Sequence, residues 1–345
     1  MQNSSGDRFI DDILQIFVKY QLEIAFFYTW PADIEACVAF EVMEGKVKRY
    51  QINLTDHAFW LGRDAFDYCV EFREYGACVS YLYRKIPEEK ICLLHYYPYF
   101  DKKILFKGLP FEVKARPILF SGGSLYKTFD DKGTYYEMVE QIMLKHDELL
   151  FVYAGNGDRS GLKKLQEKFS GRVYPIDERK DLYAVMQQCT LYLNTYPMIG
   201  GLMTQYAAIA GRLPLTLVNC QENSLDGLLL NYENINIEFN HKDDLIDEAD
   251  KLLSDENYRW QVESKLENSV VDESKFKQEL SRLLKSGKTD FSFELRNIDT
   301  TEFRKSYIHR FNMNNLATAI INKKTVAIWW KYPRLLCYMI LQKFF

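Results

Sequence analysis

The chain has 345 residues, enough for two domains of ordinary size, and with 47% hydrophobic and 27% charged residues it can bury substantial cores. Its net charge of −4 argues against general nucleic-acid binding. Its seven cysteines form no CxxC pair, and its five histidines show no HExxH-type spacing, so neither a disulfide framework nor a metal site is expected.

Cys37, Cys69, Cys78, Cys92, Cys189, Cys220 and Cys337 read as reduced core residues of a cytosolic protein. The start of the chain is polar, so no signal peptide is expected. No uncharged apolar run approaches the roughly 18 residues a spanning helix needs.

In chain order, the first 110 residues suggest strands at 22–28, 49–54, 68–72 and 91–96, with less regular helices between them. Pro87 and the run Tyr96-Tyr97-Pro98-Tyr99-Phe100 read as the crossing into a second domain. From Pro117 the pattern is regular. Short apolar strands at 117–120, 149–154, 172–176, 190–193, 215–218 and 235–239 alternate with helices at 135–145, 161–169, 181–188 and from Gly200. Strands this apolar are covered on both faces, and alternation with helices makes the sheet parallel, so this half is a doubly wound α/β domain. Three amphipathic helices follow, at 243–253, 258–270 and 274–284, and the pattern dissolves over 290–298.

In a doubly wound domain ligands sit beyond the carboxyl ends of the strands. Three glycine turns fall there: Gly122-Gly123, Gly155-Asn156-Gly157 and Gly200-Gly201. The last is the most informative. It joins a buried strand to a short helix, so backbone N–H groups and a helix dipole converge where a phosphate fits. None of the three matches GxGxxG or GxxxxGK[ST], which speaks against a dehydrogenase or a P-loop enzyme. Lys127, in the turn after the first of these strands, suits the cation that neutralises a diphosphate where no metal does so. Thr204 offers a hydroxyl at the same helix start.

Ser121-Gly122-Gly123-Ser124-Leu125-Tyr126-Lys127-Thr128, then Phe151-Val152-Tyr153-Ala154-Gly155-Asn156-Gly157-Asp158, then Arg179-Lys180-Asp181-Leu182, then the stretch from Asn194 to Pro214 follow one another as in the C-terminal domain of GT-B glycosyltransferases. The resemblance covers roughly residues 115–285. The Leu-Tyr-Lys turn and the Gly-Gly helix start are most similar to bacterial relatives of the O-linked N-acetylglucosamine transferase group and of capsule-building enzymes. The resemblance implies two Rossmann-like domains, with a nucleotide-sugar donor in this one, an acceptor in the N-terminal one, and neither metal nor cofactor. It makes Gly122, Gly123, Lys127, Gly155, Asn156, Gly200, Gly201 and Thr204 donor-binding residues and sets Arg179 where such proteins read the base. Many of these proteins hold the ribose with a carboxylate about five residues before the glycine that ends this helix. Here the position is Tyr206, preceded by Gln205, and either side chain can hydrogen-bond a ribose but neither is an acid.

In the N-terminal half a strand ends in Asp56-His57. Sugar transfer with inversion needs a base to take the acceptor's proton. His57 suits that near neutral pH, with Asp56 orienting it or acting as the base itself. Glu71, Arg73 and His95 are lesser candidates near strand ends.

From Phe303 onward there are eight Lys or Arg and no Asp or Glu, mixed with large apolar and aromatic residues. That composition suits the anionic inner face of a membrane, or a helix that packs back on the domains. The expected layout is an N-terminal acceptor domain at 1–112, short for this architecture, a donor domain at 113–289, and a helical tail at 290–345. The expected protein is a cytoplasmic, peripheral-membrane, bacterial hexosyl- or N-acetylhexosaminyltransferase of cell-surface polysaccharide synthesis, with a glycan or lipid-linked acceptor. A sugar-nucleotide epimerase and a non-catalytic sugar-nucleotide-binding protein are the alternatives.

Overall fold

A computed structural model describes residues 6–28, 33–53, 56, 60–99, 101, 103–113, 116–218, 224–299 and 301. His57, and the tail expected from Phe303, lie outside the described residues. The chain divides into two compact units, 1–93 with 286–345, and 94–285.

The first unit is built on helix α1 (Gly6–Tyr20), strand β1 (Ile24–Phe27), helix α2 (Ile34–Val42), strands β2 (Lys48–Asn53) and β3 (Tyr68–Glu71), helix α3 (Glu74–Leu82) and strand β4 (Ile91–Leu93). All four strands are parallel and lie in sequence order, β1-β2-β3-β4. Phe17 of α1, Phe27 of β1 and Phe40 of α2 meet in one core, with the Phe27 and Phe40 rings 4.6 Å apart. Asp33 caps α2, accepting the Ala36 N–H at 3.0 Å, a bond worth about 1 kcal/mol.

The irregular stretch after residue 286 is tied to this unit. Cys92 Sγ donates to the Gly287 carbonyl at 3.2 Å, Thr289 Oγ1 donates to the Leu93 carbonyl at 2.5 Å, and Ile298 packs with Tyr75, Cys78 and Val79 of α3. Its contacts replace the periodicity that it lacks.

The second unit holds β5 (Ile118–Gly122), a 3-10 turn (Leu125–Thr128), α4 (Thr134–Lys145), β6 (Leu150–Ala154), α5 (Ser160–Lys168), β7 (Val173–Ile176), α6 (Leu182–Gln188), β8 (Leu191–Leu193), α7 (Gly201–Ile209), β9 (Pro214–Leu217) and β10 (Glu238–Phe239). Helices α8 (Lys242–Ser254), α9 (Glu256–Glu263) and α10 (Glu273–Ser286) complete it. The sheet is parallel, in the order β10-β9-β8-β5-β6-β7. The order reverses between β5 and β8, and that crevice is where a doubly wound sheet takes its ligand. Strand β5 is buried along its length because helices cover both faces.

The second compact unit begins at residue 94, ahead of the joint expected at 112. Phe106, Leu109 and Phe111 pack on the β5–β6–β8 layer, and the Lys107 N–H donates to Asp181 Oδ2 at 2.9 Å. Residues 286–299 are tied to the first unit through the contacts given above. The helix expected over 258–270 ends at Glu263, followed by a 3-10 turn at Ser264–Leu266 and by Asn268 at φ 61°, a left-handed conformation that stops a helix.

The five described cysteines, Cys37, Cys69, Cys78, Cys92 and Cys189, form no disulfide with one another. No helix among the described residues is long and apolar enough to cross a membrane.

Candidate functional site

The carboxyl ends of β5 and β8 carry two turns that are bonded to each other. After β5, the Gly123 N–H donates to the Ala154 carbonyl at 2.9 Å and the Leu125 N–H to the Asn156 carbonyl at 2.9 Å. This fastens the Gly122-Gly123 turn to the Gly155–Gly157 turn. The approach is close enough to require glycine: a Cβ on Gly155 would stand 1.9 Å from the Gly123 carbonyl oxygen. Gly155 therefore shapes the first turn from beneath. Asn156 is exposed, and its side chain donates to Glu178 at 3.3 Å.

The 3-10 turn after Ser124 brings Lys127 against the turn after β8. The Met198 N–H meets the Lys127 carbonyl at 3.5 Å, and Lys127 Nζ donates to the Ile199 carbonyl at 3.4 Å. No carboxylate pairs with Lys127 among the described residues, and burial pushes its pKa below the ordinary lysine value. A half-buried ammonium without a counter-ion is poised to take an anion.

Helix α7 begins at this place. Gly200 is its N-cap and supplies no capping side chain. The first intrahelical bond runs from the Thr204 N–H to the Gly200 carbonyl at 2.9 Å. The N–H groups of Gly201, Leu202 and Met203 thus head the helix without an intrahelical acceptor. Together with Lys127 they form the anion-binding arrangement expected at a helix N-terminus.

Asn194 organises this turn, a role its sequence position did not reveal. Its Oδ1 accepts the Thr195 N–H at 3.0 Å and the Gly200 N–H at 2.9 Å. Its Nδ2 donates to Thr204 Oγ1 at 2.7 Å and to Thr216 Oγ1 at 3.3 Å. Asn194→Ala should lower the stability of this unit by about 2–4 kcal/mol, since two buried N–H groups lose their acceptor. Thermal unfolding without ligand measures this, and an unshifted transition would show that the network contributes nothing.

The other expected donor residues fall into two groups. Gly122, Gly123, Lys127, Gly200 and Gly201 line the facing turns. Thr204, Gln205, Tyr206 and Arg179 are held in internal bonds. Thr204 is wholly buried and its hydroxyl donates to the Gly200 carbonyl at 3.1 Å. Gln205 Nε2 donates to the Tyr96 and Leu228 carbonyls at 3.3 and 3.1 Å, and the Tyr206 hydroxyl donates to the Tyr99 carbonyl at 3.0 Å. The two residues expected at the ribose therefore hold the 96–99 segment. Arg179 grips Asp181 through Nε at 2.7 Å and Nη2 at 2.5 Å, and donates to the Gly108 carbonyl at 2.6 Å. That pairing holds the Asp181 carboxyl below its ordinary pKa.

In the first unit the carboxyl ends of β2 and β3 carry a buried ionic cluster. Arg73, the N-cap of α3, donates to both oxygens of Asp56, at 2.5 and 3.0 Å, and Arg84 donates to the Asp56 carbonyl at 2.7 Å. Glu71 accepts from Asn53 Nδ2 at 2.9 and 3.0 Å, from Cys69 Sγ at 3.3 Å and from the Ser80 hydroxyl. Burial pushes the Glu71 carboxyl pKa up, against the charge of Arg84 and the bonds from Asn53 and Ser80. Both carboxylates stack by the first turn of α3, where Gly76 makes room. A Cβ there would lie 2.5 Å from Glu71 Oε2 and 3.0 Å from Asp56 Cβ. The positive end of α3 favours this placement. Asp56 and Glu71 are wholly buried. His95, also buried, lies beyond the end of β4.

No group of three or more His, Cys, Asp or Glu among the described residues is placed to hold a metal ion. No protein-family model matches the sequence, and no curated protein matches it. Solved structures do match in fold. A glycosyltransferase from Rickettsia africae superposes with a TM-score of 0.61 at 14% identity, covering 83% of this chain and 84% of that one. A UDP-N-acetylglucosamine 2-epimerase, as assigned in Listeria monocytogenes, gives 0.55 at 12%, covering 83% and 81%. An O-GlcNAc transferase mutant from Thermobaculum terrenum gives 0.52 at 16%, covering 81% of this chain and 55% of that one, so this chain spans about half the length of that enzyme. The chain has the GT-B glycosyltransferase-like fold.

Proposed function

We propose that the chain is a glycosyltransferase that moves a hexosyl or N-acetylhexosaminyl group from a nucleotide-sugar donor to a glycan or lipid-linked acceptor in bacterial cell-surface polysaccharide synthesis, without a metal. The observation that supports it most is Lys127, half-buried without a carboxylate partner and 3.4 Å from the Ile199 carbonyl beside the N-terminus of α7. In this reading the diphosphate lies between Lys127 and the α7 N–H groups, with Gly122, Gly123, Gly200 and Gly201 letting the ligand approach the backbone. Gly155, Asn156 and Thr204 shape the turns. Gln205, Tyr206 and Arg179 order the segments that border the nucleoside.

In the transfer, the bond from the anomeric carbon to the diphosphate oxygen breaks and its electron pair leaves with the diphosphate. Lys127 and the helix dipole stabilise that charge as it develops. The acceptor oxygen forms the new bond and passes its proton to His57. Asp56, the chain neighbour of His57, is fixed by Arg73 and Arg84.

The test is melting in EDTA with UDP, GDP or ADP, followed by acceptor-dependent release of nucleoside diphosphate. A rise in Tm with at least one of the three is expected, and no rise with any would remove the donor site. A strict requirement for Mg²⁺ or Mn²⁺ would remove the metal-free assignment. The epimerase fold match favours a second reading, a sugar-nucleotide epimerase, which turns over without acceptor. Donor binding without turnover on any acceptor would instead mark a binding protein.

Residues 303–345 supply the contact with anionic lipid at the cytoplasmic face of the membrane, through eight basic residues and interleaved aromatics. In liposome flotation the full chain should rise with anionic vesicles, more strongly at low salt, and a chain ending at Thr325 should not. Equal behaviour of the two chains would remove the membrane from this reading.

A further inference from the structure

Tyr192, two residues before Asn194 on β8, is wholly buried, and its phenol oxygen has no hydrogen-bond partner. Buried tyrosine hydroxyls normally find one, and leaving one unmet costs stability. The oxygen lies 3.6 Å from the point that a Cβ on Gly200 would occupy. Asn194 Oδ1 lies 3.7 Å and Met203 Cβ 3.5 Å from the same point. Apart from Gly200 and its two neighbours in the chain, no atom of the described residues comes closer. Glycine at 200 therefore leaves the unused O–H donor at the head of α7 with no side chain set over it from that position.

The other polar groups round the turn are already engaged. Asn194 uses both its amide donors and its oxygen. The Thr195 hydroxyl donates to the Met198 carbonyl at 2.6 Å and the Thr204 hydroxyl to the Gly200 carbonyl. Tyr192 is the one described donor at this turn that an incoming oxygen can claim besides Lys127 and the helix N–H groups.

We infer that Tyr192 is a positioning residue for the donor: its hydroxyl donates to a diphosphate oxygen seated at the head of α7, beside Gly200. The inference rests on the donor site proposed above. It explains why the fold keeps an unpaired hydroxyl beneath that turn, since the bond is made only with the ligand in place.

Tyr192→Phe and Gly200→Ala test it, with UDP as the probe in EDTA. In Tyr192→Phe the ligand-free protein should melt at or above the wild-type temperature, because an unpaired buried oxygen is gone. The Kd for UDP should rise about 5- to 20-fold. Gly200→Ala sets a methyl against the hydroxyl in ordinary contact, so it should fold and raise the Kd at least as much. Unchanged UDP affinity in Tyr192→Phe overturns the inference. So does a lower melting temperature of that variant without ligand, which would mean that the hydroxyl already has a partner. If the wild-type chain binds none of UDP, GDP and ADP, the donor-site reading fails and takes this inference with it. That outcome is distinguishable, because it precedes any variant.

Discussion

Asp56→Ala is expected to destabilise the first unit by about 3–5 kcal/mol, the usual loss when one partner of a buried ion pair is removed. The carboxylate accepts two bonds from Arg73, and the pair is shut away from water, with 5% of the Arg73 side chain and none of the Asp56 side chain exposed. The variant would leave a guanidinium in a low-dielectric site without this counter-charge. Thermal unfolding should show the change in the transition that belongs to the first unit. His57→Ala is expected to behave differently. It should leave both transitions in place and leave UDP binding intact while lowering turnover about 100-fold, the scale of a lost general base. The two residues are adjacent in the chain, so the contrast separates anchoring from proton transfer. Normal turnover in His57→Ala would move the base elsewhere. A stable Asp56→Ala would mean that the ion pair contributes no net stability.

The ten strands of the described residues and most of the helices were legible because their signals are local. Apolar runs such as Leu150–Ala154 sit between glycine turns, and amphipathic helices follow them. The order of the sheet was less accessible, since β8 pairs with β5 across 72 residues, Leu119 with Leu191, and nothing local records that choice. The candidate anion site was legible in part for the same reason. Gly200-Gly201 and Lys127 are visible as a helix start and a basic turn, but their meeting through the Ile199 carbonyl is long-range. Gln205 and Tyr206 were read as ribose contacts because their spacing from Gly211 fits. Their use on the Tyr96 and Tyr99 carbonyls depends on a segment that sequence placed in the other domain. Arg179 shows the reverse case, for its partner Asp181 is two residues away and the local pair was readable. Asn194 left no distinctive signal beyond an asparagine at a strand end, which is common in turns of every kind.

Lys127→Ala is expected to weaken nucleoside-diphosphate binding about 10- to 100-fold, or about 1.5–3 kcal/mol, the size of one charge-assisted hydrogen bond in a partly enclosed site. The pH dependence gives the assignment a second handle. Burial depresses the lysine pKa, so the ligand-free folded state disfavours the charged form. The ligand-free protein should therefore gain stability as pH rises from the lowered folded pKa toward the ordinary lysine value. Diphosphate binding has the opposite sign, because only the ammonium attracts the ligand. Affinity should fall as pH climbs through the lowered pKa, with proton uptake on binding above it. Lys127→Arg keeps its charge throughout that range, so it should retain binding at high pH and lose the dependence. Isothermal titration with UDP in buffers of different ionisation heat reads both quantities. Equal affinity in wild type and Lys127→Ala, or a pH profile that Lys127→Arg leaves unaltered, would place the diphosphate away from this lysine. A protein that keeps an unpaired ammonium beside an open helix N-terminus accepts a less stable empty state, and a bound dianion is what reverses that cost.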